Sequence, residues 1–411
     1  MKTTPQLSQR NFIYLCKLIY PFSFFFLFPF FNFSYGQNNP PIKQWAFNDG
    51  GTLHPKGFES GEDWFYSGIE TSDGNYVGTG YMELDPVNHH GAYSVAIVKL
   101  NPNMPGKRIW ERSFQFNLND IDYGIDIVEN SNGHYVILAA IFDVTNSIPF
   151  YQVLEYDKDG NQLNVKDIID GNSVLHGGGY GSIRKIMDGG SQSGYIIGCA
   201  DLAVATSHTQ INAQATLIRL DNNFNLVTSF GTGGIAHYSN TGSNCRTASV
   251  LHNSNGTLAG FLLVGREKNG SVNNDFDALA IKTSTNGTVV WNQTFSENIL
   301  GTSYTDAITG SSTCTCSTTA SNADACPENA SWEAGFSGDE ISFGGDIILN
   351  LWFDYRSLFQ PPNCSNAWLS PQSWQDLDVA LLRVSASTGS LTGTNQTIDI
   401  AHFSGIDFLL Q

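Results

Sequence analysis

The chain has 411 residues and a formal net charge of −18, with 20 Lys and Arg against 38 Asp and Glu. A surface this acidic repels phosphate backbones and anionic lipid heads, which argues against nucleic acid or a membrane surface as partner. Hydrophobic residues make up 41% of the chain, so a sizeable core can be buried.

Lys2 and Arg10 precede an apolar, aromatic-rich run from Phe12 to Phe33, which ends in Ser34-Tyr35-Gly36 before the polar Gln37-Asn38-Asn39. This order is that of a secretory signal peptide cleaved after Gly36, so residues 1–36 are set apart from the fold. The run is long enough for a membrane anchor, but Pro21, Pro29 and Lys17 interrupt it, and no membrane insertion is expected after cleavage. Loss of Lys2, Arg10 and Lys17 takes the charge from −18 to −21.

From Glu62 to Phe116 the sequence reads as four apolar runs divided by turn residues. The runs are Trp64 to Thr71, Tyr76 to Tyr81, Tyr93 to Leu100 and Ile109 to Phe116, with turns at Ser72-Asp73-Gly74 and Asn101 to Gly106. The pattern returns about every sixty residues, and four hairpin-linked strands per repeat is the arrangement of a β-propeller blade. The second unit runs through Tyr123 to Glu129, His134 to Phe142, Phe150 to Tyr156 and Asn161 to Ile168. The third has Gly181 to Met187, Tyr195 to Ala200, Ala215 to Leu220 and Leu226 to Ile235; the fourth has Arg246 to Leu251, Phe261 to Gly265, Phe276 to Lys282 and Val289 to Phe295. Third strands share an ending of two apolar residues and a cation: Lys99, Arg219, Lys282 and Arg383.

Between Lys282 and Arg383 the spacing exceeds one unit, so the fifth unit carries insertions at 313–336 and 357–375, with a strand hairpin, Glu340 to Tyr355, between them. The ends look like partial units. Gln44 to Phe47 matches a fourth strand and Gly405 to Leu410 a first strand, so the expected architecture is all-β, a β-propeller of about five recognisable four-stranded blades plus partial end strands over 37–411. An unfinished blade exposes a strand edge, which led to the further expectation that the chain is a truncated piece of a longer surface protein.

The Ser-Asp-Gly turns, the cation ending each third strand and the Trp-x-x-x-Phe of Trp110 to Phe114 and Trp291 to Phe295 resemble the propeller repeats of large exported bacterial surface proteins, type IX secretion cargo included. Asp221 to Ile235, with Ser229-Phe230-Gly231-Thr232-Gly233-Gly234-Ile235, is similar to the delta-sixty propeller repeat. The resemblance implies an extracellular location, secreted or on the cell surface, and implies no particular activity.

Besides Cys16 there are Cys199, Cys245, Cys314, Cys316, Cys326 and Cys364, an even number, which in an exported chain predicts disulfides. Cys199 and Cys245 occupy neighbouring positions of adjacent units and are expected to pair. The two insertions are expected to draw Cys314, Cys316, Cys326 and Cys364 together, with three pairings open. Cys314-Thr315-Cys316 is a poor zinc spacing. Asp157-Lys158-Asp159-Gly160-Asn161 looks like the start of a calcium loop, but it lacks the later bidentate Glu and sits at a hairpin turn, which is the favoured reading. His89-His90 beside Asp85 reads as a solvated pair, so neither a metal nor a cofactor is called for.

No G-x-S-x-G, H-E-x-x-H or phosphate-binding Gly loop is present. Ser284 to Trp291 comes near the turn of sialidase propellers, with Gly one place early and Asn for Asp. In the fifth unit Trp332, Trp352, Tyr355, Trp368 and Trp374 are the candidate ligand-binding residues, since large rigid aromatics suit a sugar- or protein-binding face. The sequence therefore predicts an exported, non-catalytic binding or surface-scaffold propeller that meets a protein or glycan at one face. The alternative is a glycan-processing propeller enzyme, sialidase-like or lyase-like.

Overall fold

The structure, a computed structural model, describes residues 64–83, 93–103, 108–117, 121–143, 148–170, 173–174, 177–202, 213–238, 242–268, 276–295, 331–342, 344–355 and 376–392. Every element among them is a strand, bridge or turn, so the expected all-β class is observed. No helix among the described residues is long and apolar enough to cross a membrane. The signal segment 1–36, Gln44 to Phe47, Cys314, Cys316, Cys326, Cys364, Trp368, Trp374, the 357–375 insertion and Gly405 to Leu410 lie outside the described residues.

The first meander is β1 (Trp64–Glu70), β2 (Tyr76–Glu83), β3 (Tyr93–Leu100) and β4 (Arg108–Phe114). The second is β5 (Ile121–Glu129), β6 (Tyr135–Asp143), β7 (Ile148–Tyr156) and β8 (Gln162–Asp167), followed by a two-strand clip, β9 (Ile169–Asp170) and β10 (Ser173–Val174). The third is β11 (Gly177–Asp188), β12 (Ser191–Leu202), β13 (Ala213–Leu220) and β14 (Ile235–Tyr238). The fourth is β15 (Ser243–His252), β16 (Leu258–Lys268), β17 (Phe276–Thr283) and β18 (Val289–Phe295). A fifth comprises β19 (Ser331–Glu340), β20 (Ile347–Tyr355) and β21 (Asp376–Val384), with Leu391 bridging back to Val384. Within each meander neighbours pair antiparallel, and single parallel bridges, Tyr93 with Ile121 and Phe276 with Trp332, join adjacent sheets.

These sheets stack face to face, which explains the nearly unbroken apolar middle strands. Val136 to Ala139 on β6 are fully buried on both faces because a sheet lies on each side. The core is accordingly divided into layers. Ile97 and Ile137 fill the first gap, Leu138 and Ile197 the second, Leu217 and Leu263 the third, and Leu262 and Leu349 the fourth. Each such side chain contributes about 1.5–3 kcal/mol by leaving water. Repeated four-strand meanders packed this way are a β-propeller.

The cations ending the third strands of the first, third and fourth sheets reach into the next sheet, whereas Arg383 binds Asp346 of its own sheet. Lys99 Nζ donates to the Lys158 carbonyl (3.3 Å), Arg219 Nη1 to the Thr285 carbonyl (2.9 Å) and Lys282 Nζ to the Ala386 carbonyl (2.6 Å). Fourth-strand tryptophans do the same work, Trp110 Nε1 donating to Lys158 (3.0 Å) and Trp291 Nε1 to Ala386 (3.1 Å). The aromatic then lies over the glycine of that turn. A Cβ on Gly160 would stand 2.9 Å from Trp110, on Gly287 3.0 Å from Phe230, and on Gly389 2.8 Å from Trp291, and all three glycines have left-handed φ (81°, 87°, 70°).

Three expectations are corrected. Leu226 to Gly234 is not strand: it forms consecutive turns, with Phe230 N–H donating to Val227 and Gly234 N–H to Phe230 carbonyls, and β14 begins only at Ile235. Left-handed Gly231 and Gly233 permit this fold-back, which seats Phe230 against Phe261 at 5.6 Å. The 313–336 insertion overlaps β19, whose start at Ser331 is fixed by pairing with Tyr355. Cys199 and Cys245 are both fully buried yet are free thiols, so the expected bond between them is absent; Cys245 Sγ instead donates to the Thr247 carbonyl at 3.3 Å.

Candidate functional site

Strands β1, β5, β11, β15 and β19 open the five sheets and each lies against the next. Because neighbouring strands alternate in direction, the starts of the first and third strands and the end of the second share one rim. The inner-strand ends and hairpin turns share the other.

At the first rim, Tyr66 of β1, Tyr81 of β2, Tyr93 of β3 and Tyr123 of β5 form one cluster. Ring centroids are 4.8 Å apart for Tyr81 and Tyr93, 5.5 Å for Tyr81 and Tyr123, 5.8 Å for Tyr66 and Tyr81, and 6.3 Å for Tyr66 and Tyr123. Most contacts are edge-to-face, the arrangement that ring quadrupoles favour. Tyr66 is 57% exposed, and exposed Trp64 stands opposite Tyr81 in the β1–β2 register, so aromatic surface faces solvent beside a packed base; Phe65 lies over Gly78 on the other face of the sheet. Burial, then Tyr66, Tyr93 and the Asp122 carboxylate, push the Tyr123 phenol up to about 12, so it stays a neutral donor near pH 7. Asp122 itself is buried, its Oδ2 accepting the Phe116 N–H at 2.7 Å.

Deeper along the inner strands, Asp126 joins three sheets. Its Oδ1 accepts Ser67 Oγ (2.6 Å) and Ile127 N–H (2.9 Å), and its Oδ2 accepts Ile183 N–H (2.9 Å) and the Arg184 guanidinium. Four donors occupy this carboxylate, so it positions strands and has no lone pair to spare for proton transfer.

At the second rim, His252 Nδ1 lies 2.6 Å from Glu340 Oε1, its backbone N–H donates to Oε2 (2.9 Å), and Nε2 lies 3.1 Å from the Met187 carbonyl. Both ring nitrogens are thus engaged, and the pair staples β11, β15 and β19. A cavity of about 400 Å³ adjoins it, lined by Arg184, Lys185, Ser249, Asp339 and Glu340 among others.

Of the fifth-unit aromatics, Trp332 pairs with Asp354, Trp352 with Ala334 and Tyr355 with Ser331 in the β19–β20 register. Asp157 spends its carboxylate on its own turn, accepting Asp159 N–H (2.9 Å), Asn161 N–H (2.8 Å) and Asn161 Nδ2 (2.8 Å). The sialidase-like turn at Ser284 likewise serves contact between sheets, through Thr285 and Trp291. Among the described residues no group of three or more His, Cys, Asp or Glu is placed to hold a metal ion. Sequence reasoning missed the tyrosine cluster. Its signal was present, because all four residues sit at the same-rim ends of their predicted strands.

No family model matches the chain, and no curated protein is similar to it. Among solved structures it is similar to a levansucrase variant of B. megaterium, at 9% identity and TM-score 0.41, over 84% of this chain and 87% of that one. It is also similar to an α-L-arabinofuranosidase of Fusarium graminearum in complex with arabinobiose, at 13% identity and TM-score 0.35, over 80% and 90%. At such identities the likeness concerns fold. These neighbours bear the names of glycan-processing enzymes, and the expectation of a non-catalytic scaffold finds no support among them.

Proposed function

We propose that this chain is an exported glycan-processing propeller whose sugar-contacting surface is the tyrosine rim of the first two sheets. The observation that carries the reading is the cluster of Tyr66, Tyr81, Tyr93 and Tyr123, with exposed Trp64 opposite Tyr81. Rigid aromatic faces stack on the apolar side of a sugar ring, and neutral phenols satisfy its hydroxyls. Glycosidic cleavage needs carboxylates beside the bound ring. Asp122, which acts on the Tyr123 phenol, and Glu83, opposite Tyr93, are described carboxylates next to the cluster, whereas Asp126 is committed to its four donors. The apolar run from Phe12 to Phe33 after Lys2 and Arg10 supports export.

The test is product release from a panel of arabinans, galactans, fructans, uronans and sialosides, followed chromatographically for the full chain and for Asp122→Asn. Turnover by the parent, lost in a folded Asp122→Asn protein, is the expected result. Absence of turnover on every member would overturn the enzymatic reading, and full turnover by Asp122→Asn would remove that residue from it.

A further inference from the structure

We propose that the second rim holds a binding site, separate from the tyrosine surface, for a small zwitterion: a ligand with one carboxylate and one ammonium, such as a free amino acid or a dipeptide. This does not rest on the glycan-processing reading. The site is the cavity of about 400 Å³ beside the His252–Glu340 pair. Strand β11 supplies Arg184 and Lys185 to its wall, and β19 with the turn after it supplies Asp339 to Ser342. Between them lies β15, with Ser249 and Val250.

Glu340 is spent on His252, accepting its backbone N–H at Oε2 (2.9 Å) and lying 2.6 Å from Nδ1 through Oε1. Arg184 holds Asp126 and the Ile183 carbonyl through Nη1, and its remaining guanidinium N–H groups make no hydrogen bond among the described residues. Two charges are left over. The Lys185 ammonium makes no ion pair or hydrogen bond among the described residues. The Asp339 carboxylate makes no ion pair there either, its Oδ1 accepting the adjacent Glu340 N–H at 2.8 Å.

Opposite charges that line one cavity without meeting leave room between them for a molecule that carries both. A simple anion drawn to Lys185 meets the Asp339 and Glu340 carboxylates, and a simple cation drawn to Asp339 meets Lys185 and Arg184. A zwitterion escapes both penalties. Its carboxylate takes charge-assisted hydrogen bonds from Lys185 and the Arg184 fork, and its ammonium donates to Asp339. Ser249 Oγ, which donates to the Gly338 carbonyl at 2.5 Å, keeps lone pairs for the same ammonium. No Tyr, Trp or Phe is among the described residues lining the cavity, so it offers a sugar ring no stacking surface. Val250 and half-exposed Ile341 instead offer contact to a short aliphatic side chain.

The experiment is isothermal titration of the full chain with glycine, L-leucine and L-alanyl-L-leucine, and with the singly charged relatives made by N-acetylation or C-terminal amidation. At least one zwitterion is expected to bind, roughly tenfold or more tighter than either of its relatives, because each relative loses a hydrogen bond between charged groups. Asp339→Asn and Lys185→Gln, both checked for folding by circular dichroism, should each weaken zwitterion binding to a similar degree. Polysaccharide turnover should be the same in these variants as in the parent. Equal binding of a zwitterion and its singly charged relatives, zwitterion binding untouched by either substitution, or no zwitterion binding at millimolar concentration overturns the proposal. Each of those results leaves the glycan-processing reading standing, and absence of polysaccharide turnover with zwitterion binding intact removes that reading while upholding this site.

Discussion

Lys99 is a buried cation whose ammonium donates to Asp73 Oδ2 (2.6 Å) and Tyr135 Oη (2.8 Å) as well as to the next sheet. Burial opposes charge on both partners, yet the hydrogen bonds outweigh it: the Asp73 carboxyl is held well below the usual carboxylate range and the Lys99 ammonium above its ordinary value. A depressed carboxylate stabilises above its unfolded pKa of about 3.9 and loses that contribution as pH falls through its folded value; a raised lysine contributes below about 10.4 and loses it as pH rises through its folded value. Asp73→Asn should therefore cost about 1 kcal/mol at pH 7, with the gap to the parent narrowing as acid is added, read from denaturant midpoints along a pH series. A gap that widened in acid would contradict this.

The cysteines give a second prediction at this scale. Burial raises both the Cys199 and the Cys245 thiol, so neither should react with iodoacetamide until the protein unfolds, when both should be labelled. Rapid labelling of the native state, or no labelling after unfolding without reductant, would refute free buried thiols.

At the scale of the element, the repeat is held by an aromatic of one sheet resting on a turn glycine of the next. Trp291→Ala removes a buried indole and its bond to Ala386, and about 3 kcal/mol of stability should be lost, measured by urea unfolding. Gly287→Ala meets a left-handed φ of 87° and the Phe230 ring together, and should cost at least about 1 kcal/mol. The hairpins and their turns were readable because Asp, Asn and Gly mark them locally; Ser72-Asp73-Gly74 is a turn in sequence and structure alike. The meaning of Trp110 was not readable, since its partner Lys158 lies in the following unit and only stacking brings them together. Leu226 to Gly234 misled for another reason. Its apolar residues suit a strand, but its glycines take conformations that let Phe230 fold inward.

For the molecule as a whole, periodicity announced the propeller, because each unit must bury two faces and the same apolar pattern recurs. The candidate site was harder to read. Tyr66, Tyr81, Tyr93 and Tyr123 belong to four strands and two units, so they become one surface only after register and stacking are known, whereas the tryptophans of the fifth unit drew attention by being close in sequence. The central claim is that a processed glycan sits on this rim, and a nitration footprint tests it most directly. Tetranitromethane modifies exposed tyrosines, and the modified positions are read by peptide mass spectrometry with and without a saccharide that the protein turns over. Slowed modification of Tyr66, with no change at the exposed Tyr76 on the other rim, is the predicted outcome. Unchanged modification of Tyr66 at saturating saccharide would contradict the account.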